Sequence, residues 1–329
     1  MTSDATVATR KESRSALLRR SSPPLALGLI AGAGTTFGAF SYGTGLFLLT
    51  PICIGIGAAW IPRGPRPAIG TCVWAAIVTC LAVSLLFLIM GLEGIFCLIM
   101  AAPLVLPGAA VGGAIGCGLR RTWEQPGTGA MLLLLATAPA FLAFDRPAHD
   151  AMVDTQPPLK ITTSMIVHAT ADQVWRQTVD FAPITSAPVG LLRLGIAYPT
   201  HAVLREEGGR RIRECHFTTG AFIEPITTWD PPFHLAFDVA AQPPSMQELS
   251  PWDIHPPHVD TLLRSQRGEF KITPLPDGTT RLEGTTWYTI GASPAWYWQL
   301  WTDPILHAIH RRVLESIAEH AQSAAKPSP

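Results

Sequence analysis

Ile161-Thr162-Thr163-Ser164-Met165-Ile166-Val167-His168-Ala169-Thr170-Ala171-Asp172-Gln173-Val174-Trp175-Arg176-Gln177-Thr178-Val179-Asp180-Phe181 changes its hydrophobic period in mid-course. Ile161, Thr163, Met165 and Val167 alternate as on a half-buried strand; Val174, Trp175, Thr178, Val179 and Phe181 follow helical spacing, with Thr170 placed to cap the first turn. A short helical piece is expected around 189–194, then strands at 201–206, 211–217, 222–229, 234–239, 262–274 and 280–290. Glu207-Gly208-Gly209, Thr219-Gly220, Asp230-Pro231-Pro232 and Pro276-Asp277-Gly278 supply the turns of an antiparallel meander. One long helix, about 294–322, closes the chain. This order specifies an α+β domain over 159–322, with a curved antiparallel sheet around the last helix and a cavity between them.

Upstream, the composition belongs to another solvent. Between Ser21 and Gly118 the formal charges are Arg63, Arg66 and Glu93 alone, whereas every histidine lies after Phe144. Unpaired charge is costly in hydrocarbon, so 23–144 reads as an all-α transmembrane domain. Apolar runs at about 24–41, 44–61, 69–91, 94–118 and 128–144 make five spans the simplest count. Residues 1–22, with Arg10, Lys11, Arg14, Arg19 and Arg20, form a basic cytoplasmic tail ahead of a retained anchor. With Arg63/Arg66 and Arg120/Arg121 also inside, an odd count puts the soluble domain on the outer, periplasmic face of a multi-pass inner-membrane protein; a first pair that fails to cross returns it to the cytoplasm. Pro103 and Pro107 are expected to kink or break the fourth span. Residues 145–158 read as a polar, proline-containing linker and 323–329 as a disordered tail.

The bulk numbers exclude several classes. Lys+Arg and Asp+Glu both number 24, so no electrostatic footprint for nucleic acid exists. The six cysteines fall in no CxxC or Cys/His spacing, which leaves no disulfide framework or zinc knuckle. The soluble part carries no Walker loop, HExxH or GxSxG and no GxGxxG after a strand; no cofactor is expected.

Three groups of residues can carry function. Asp303, His307 and His310 lie within about 60° of one another on the last helix. They can serve as base and orienting acid, or His307 and His310 can ligate a metal lacking an identifiable third ligand; alternatively Asp303 and His307 tie the helix to a neighbouring strand. Trp298 and Trp301 on the same helix supply an apolar wall. The proline-rich loop 241–261 holds Met246, Glu248, Trp252, His255 and His258, and reads either as a lid touching a greasy ligand or the bilayer, or as a stiff loop on the sheet edge. Glu224 and Glu283 lie in strands; if Glu283, Thr285 and Trp287 face inward, the cavity gains a carboxylate and an indole.

The segment Val167–Trp175, with Cys215-His216-Phe217-Thr218-Thr219-Gly220, Glu224-Pro225-Ile226, Glu248-Leu249-Ser250-Pro251, Gly284-Thr285-Thr286-Trp287-Tyr288 and His307-Ala308-Ile309-His310-Arg311, resembles a membrane-anchored bacterial branch of the START-like, polyketide cyclase/dehydrase and lipid-transport (SRPBCC) superfamily. The resemblance covers about 158–322 and implies a helix-grip fold. It implies membrane-tethered binding, transport or sensing of a hydrophobic small molecule or lipid, leaning away from enzymatic activity. The alternatives are a cyclase or hydrolase using the Asp/His set, and a module that assembles with a protein partner.

Overall fold

In the computed structural model, residues 26, 42–64, 66–122 and 150–325 are described. They divide into two units. A helical unit runs up to Met152 and takes in Glu248–Pro257 and Ala292–Pro294; a sheet unit comprises Val153–Gln247, His258–Gly291 and Ala295 onward.

The helical unit contains α1 (Thr50–Ala58, continuing a π-helical turn Gly45–Leu49), α2 (Ile69–Ile89) and α3 (Ile95–Thr122). Only α2 and α3, among the described residues, are long and apolar enough to cross a membrane, with mean hydropathy 2.6 and 2.2. The expected five spans are therefore corrected. The run at 44–61 yields a short apolar helix, Gly45–Ala58, because Trp60 to Gly64 turns away before a bilayer's thickness is reached. The runs at 24–41 and 128–144 lie outside the described residues, as does the basic tail, so the count behind the outer placement does too. α3 continues unbroken through Pro103 and Pro107. Each proline removes one backbone bond, too little to interrupt a 28-residue apolar helix.

Glycine sets the spacing of this unit. A Cβ on Gly112 of α3 would meet the Ile52 carbonyl oxygen of α1 at 2.1 Å, and one on Gly55 would meet that of Ala109 at 2.3 Å, so the two helices pack backbone to backbone. Arg120, buried, donates to the carbonyls of Ala59 and Gly64 and closes the end of α1.

The sheet unit begins with residues 150–155 partly in it and helical, where a linker was expected. Its strands are β1 (Leu159–Val167), β2 (Pro199–Glu207), β3 (Arg210–Phe217), β4 (Gly220–Asp230), β5 (His234–Asp238), β6 (Leu263–Pro274) and β7 (Thr280–Ile290). They form one antiparallel sheet in the order β1-β7-β6-β5-β4-β3-β2. The helices are α4 (Ala171–Val179), α5 (His258–Thr261) and α6 (Ala295–Ala325), and α6 reaches three residues beyond the expected 322. Thr170 and Gln173 cap α4 reciprocally through a capping box. α6 lies across the sheet and packs against α4, β1 and β7, giving a helix-grip fold. Val167, Val174, Phe181, Leu235, Leu282, Leu314 and Ile317 are fully buried at its centre, and Trp175 meets Trp229 edge-on at 5.2 Å.

Candidate functional site

The site follows from strand parity. On β3 the residues facing α6 are Arg213, Cys215 and Phe217; on β4 they are Phe222 and Glu224; on β5, Phe237. On β6 a bulge between Ser265 and Arg267 reverses the parity, so Leu263 and Ser265 precede it on the inner face and Gly268 and Phe270 follow it. Gly268 sits directly opposite Phe237, and a side chain there would strike the Phe237 ring at 2.5 Å. β7 adds Gly284 and Thr286, and α6 adds Ile305, Leu306, Ile309, His310, Val313 and Leu314. At one end, residues 195–197 pair with 245–247 through Ala197 N–H to Ser245 O (3.0 Å) and Gln247 N–H to Gly195 O (2.8 Å). Together these enclose a cavity of about 120 Å³. An engineered cavity of about 150 Å³ takes up benzene, so this one is of small-ligand size.

Its strongest polar feature is an ion pair. Arg213 and Glu224 are direct cross-strand partners, both buried, and the Arg213 Nη1 donates to Glu224 Oε2. Burial pushes the Glu224 carboxyl above its ordinary range while Arg213 pulls it back. The guanidinium is ringed by Phe181, Phe237 and Phe270, whose centroids lie 5.4, 5.4 and 5.5 Å from Cζ. Beside it the buried Cys215 thiol is pushed up to about 12, first by desolvation and then by Glu224, which makes it a small apolar wall atom rather than a nucleophile.

The expected Asp303/His307/His310 strip is divided among separate partners. Asp303 accepts from Tyr288 OH and from Gln299 Nε2 at 3.3 Å. His307 is exposed, with Nδ1 2.8 Å from Thr163 Oγ1. His310 reaches the cavity wall with both nitrogens occupied: Nδ1 lies 3.0 Å from Thr163 Oγ1 and Nε2 2.8 Å from Thr286 Oγ1. Desolvation, with His307 nearby, lowers His310 to about 4, so it is a neutral imidazole held between two hydroxyls. Only one of the three residues therefore lines the cavity.

The other expected residues are equally dispersed. Glu224 is in the site. Met246 is buried and bridged to Ile196 but is not among the residues that line the cavity. Glu248, Trp252 and His255 belong to the helical unit, where Glu248 accepts from the Cys97 thiol and Trp252 covers Gly91; His255 is exposed. His258 is buried at the start of α5. Glu283 stands opposite Lys271, and Trp287 lies between Lys160 and Arg267, each 5.0 Å away; both are on the face turned from α6, since Thr286 and Tyr288 are the β7 residues that bond to that helix. Trp298 is buried and Trp301 half-buried, but they precede the turns of α6 that face the cavity and do not line it. Sequence reasoning missed Arg213, Cys215, Phe222, Phe237 and Phe270. A signal was present: Arg213 shares strand parity with Cys215 and Phe217, as Glu224 does with Phe222, and opposite charges at inward positions of adjacent strands invite pairing.

No family model and no curated protein matches this sequence. Among solved structures, the chain is similar to the ZhuI aromatase/cyclase from Streptomyces sp. R1128, 16% identical, covering 51% of this chain and 96% of that one, with a TM-score of 0.33. It is also similar to truncated norcoclaurine synthase from Thalictrum flavum, 13% identical, covering 53% and 99%, TM-score 0.32. A third is the di-domain aromatase/cyclase StfQ of the steffimycin biosynthetic pathway, 14% identical, covering 61% and 62%, TM-score 0.36.

Proposed function

We propose that the sheet unit binds a hydrophobic small molecule in the cavity between sheet and α6, and that α2 and α3 hold the chain in a membrane. The observation that carries the first part is the cavity itself, with apolar walls from Phe217, Phe222, Phe237, Phe270 and the α6 aliphatics and one buried ion pair, as ligand sites are usually built. The division of Asp303 from His310 favours binding over acid–base chemistry, because the carboxylate is engaged by Tyr288 and Gln299 instead of orienting an imidazole. Support for the membrane comes from α2, about 31 Å long at 1.5 Å per residue, whose Trp74, Val78, Leu81, Leu85 and Ile89 form an exposed apolar stripe. Only 28% of each apolar window is buried within the protein, unlike the core helix of a water-soluble fold.

The test is native mass spectrometry of the full chain extracted in detergent, with membrane fractionation alongside. A co-purifying small molecule, or uptake of an added single-ring aromatic probe, is expected. A sheet unit that takes up no hydrophobic probe at all sinks the binding reading; release of the chain by carbonate wash sinks the membrane one.

A further inference from the structure

Arg213 is only 2% exposed and its Nη1 is given to Glu224, yet its Nε–H has no hydrogen-bond acceptor among the described residues. A buried donor left without an acceptor is costly, and few persist in native proteins; one that borders a cavity marks a group that a bound molecule can satisfy. Its surroundings say what kind of molecule. Phe237 and Phe270, which flank the guanidinium, line the cavity together with Phe217 and Phe222, an apolar wall suited to a small aromatic ring.

The charges decide the ligand's ionisation. Arg213 and Glu224 cancel. Of the other ionisable residues along the wall, Arg267 is turned onto Trp287, Glu269 is paired with His234 and Lys271 on the outer face, and His310 is held between Thr163 and Thr286. A ligand carboxylate would thus enter a buried space with no net positive charge to meet it. Resting on the cavity as a ligand site, we infer that its ligand is an uncharged single-ring aromatic molecule with a carbonyl-type acceptor, whose oxygen takes the Arg213 Nε–H.

Three probes of nearly one shape isolate this acceptor: acetophenone, ethylbenzene and benzoate, titrated into the full chain in detergent by calorimetry. A hydrogen bond from a charged donor is expected to favour the ketone over the hydrocarbon by about tenfold or more. The carboxylate is expected to bind at least tenfold more weakly than the ketone, roughly the penalty of one imperfectly compensated buried charge. In the variant Arg213→Met/Glu224→Leu, which removes both charges while keeping apolar bulk, the ketone-to-hydrocarbon ratio falls to about one. Equal binding of ketone and hydrocarbon by the wild-type chain, tightest binding of benzoate, or persistence of the ketone preference in the double variant each overturns the inference while leaving the cavity a ligand site. Failure of all three probes removes the cavity reading and the inference with it.

Discussion

Removing Arg213 alone should destabilise the protein in a way that depends on pH, whereas removing Glu224 alone should not. In Arg213→Met the Glu224 carboxyl stays buried without its cation, and the least costly outcome is that it binds a proton. Holding protonated at pH 7 a carboxyl whose ordinary pKa is 4.5 costs about 3.4 kcal/mol, from about 1.36 kcal/mol per unit; at pH 5 the same cost falls below about 1 kcal/mol. The sign follows from the direction of the shift: a folded-state pKa raised above the unfolded one favours the fold below pH 4.5, and that advantage is lost as pH rises. In Glu224→Leu the guanidinium has no comparable escape, so a loss of about 3–5 kcal/mol is expected with little change between pH 5 and 7. Arg213→Met/Glu224→Leu restores most of either loss, because an apolar pair of similar volume needs no desolvation. Hydrogen exchange of β3 and β4 peptides in the full chain, read by mass spectrometry against urea, reports these free energies. An Arg213→Met penalty equal at pH 5 and 7, or a double variant as unstable as the sum of its parts, would refute the reasoning.

Three further outcomes are expected. His310, lowered to about 4 from its ordinary 6.5, favours the fold above pH 6.5, and up to about 3 kcal/mol is lost as pH falls from 6.5 toward 4; His310→Gln should flatten that slope in β1 and β7 exchange, and an unchanged slope speaks against a buried neutral imidazole. Gly112→Leu should lower the thermal stability of the helical unit in detergent by about 1–3 kcal/mol or more, because its side chain must displace the Ile52 carbonyl. Gly70→Leu, at a position where an added Cβ meets nothing within 4 Å, serves as its control. Thr170→Ala should cost about 1 kcal/mol by breaking the capping box of α4, read as faster exchange in the first turn of that helix; protection equal to wild type contradicts the cap.

Much of the sheet unit was legible because its signals are local. Alternation over 161–167 and the capping residues at Thr170 and Gln173 act within a few positions, and turns such as Glu207-Gly208-Gly209 announce themselves, Gly208 and Gly209 both adopting positive φ. The cavity was legible as a consequence of the element order, whereas the facing of Glu224 was not, because a single strand's alternation does not say which of its sides meets the helix. What escaped depends on register. The bulge in β6 reverses which of Arg267, Gly268 and Glu269 face the helix, and nothing in the one-dimensional pattern marks it. Thr163 gathers His307 and His310 from 144 and 147 residues away, so their partners were beyond any spacing rule. The helical unit was legible in composition but not in span length, since Gly45–Ala58 is apolar throughout and still too short.

The chain's route through its two units bears on how it can be made. Residues 248–257 and 292–294 belong to the helical unit, yet they are encoded after β5 and after β7. A ribosome delivering the chain from its N-terminus therefore releases α1, α2 and α3 long before the pieces that finish their unit. The early helices must wait, incompletely packed, until residue 294 emerges. Cutting the gene near residue 153 separates the strands cleanly on paper, but it leaves both late segments in the fragment that lacks their packing partners. Such a fragment carries two stretches of side chains that the intact protein spends elsewhere, and its solubility would report on them as much as on the sheet.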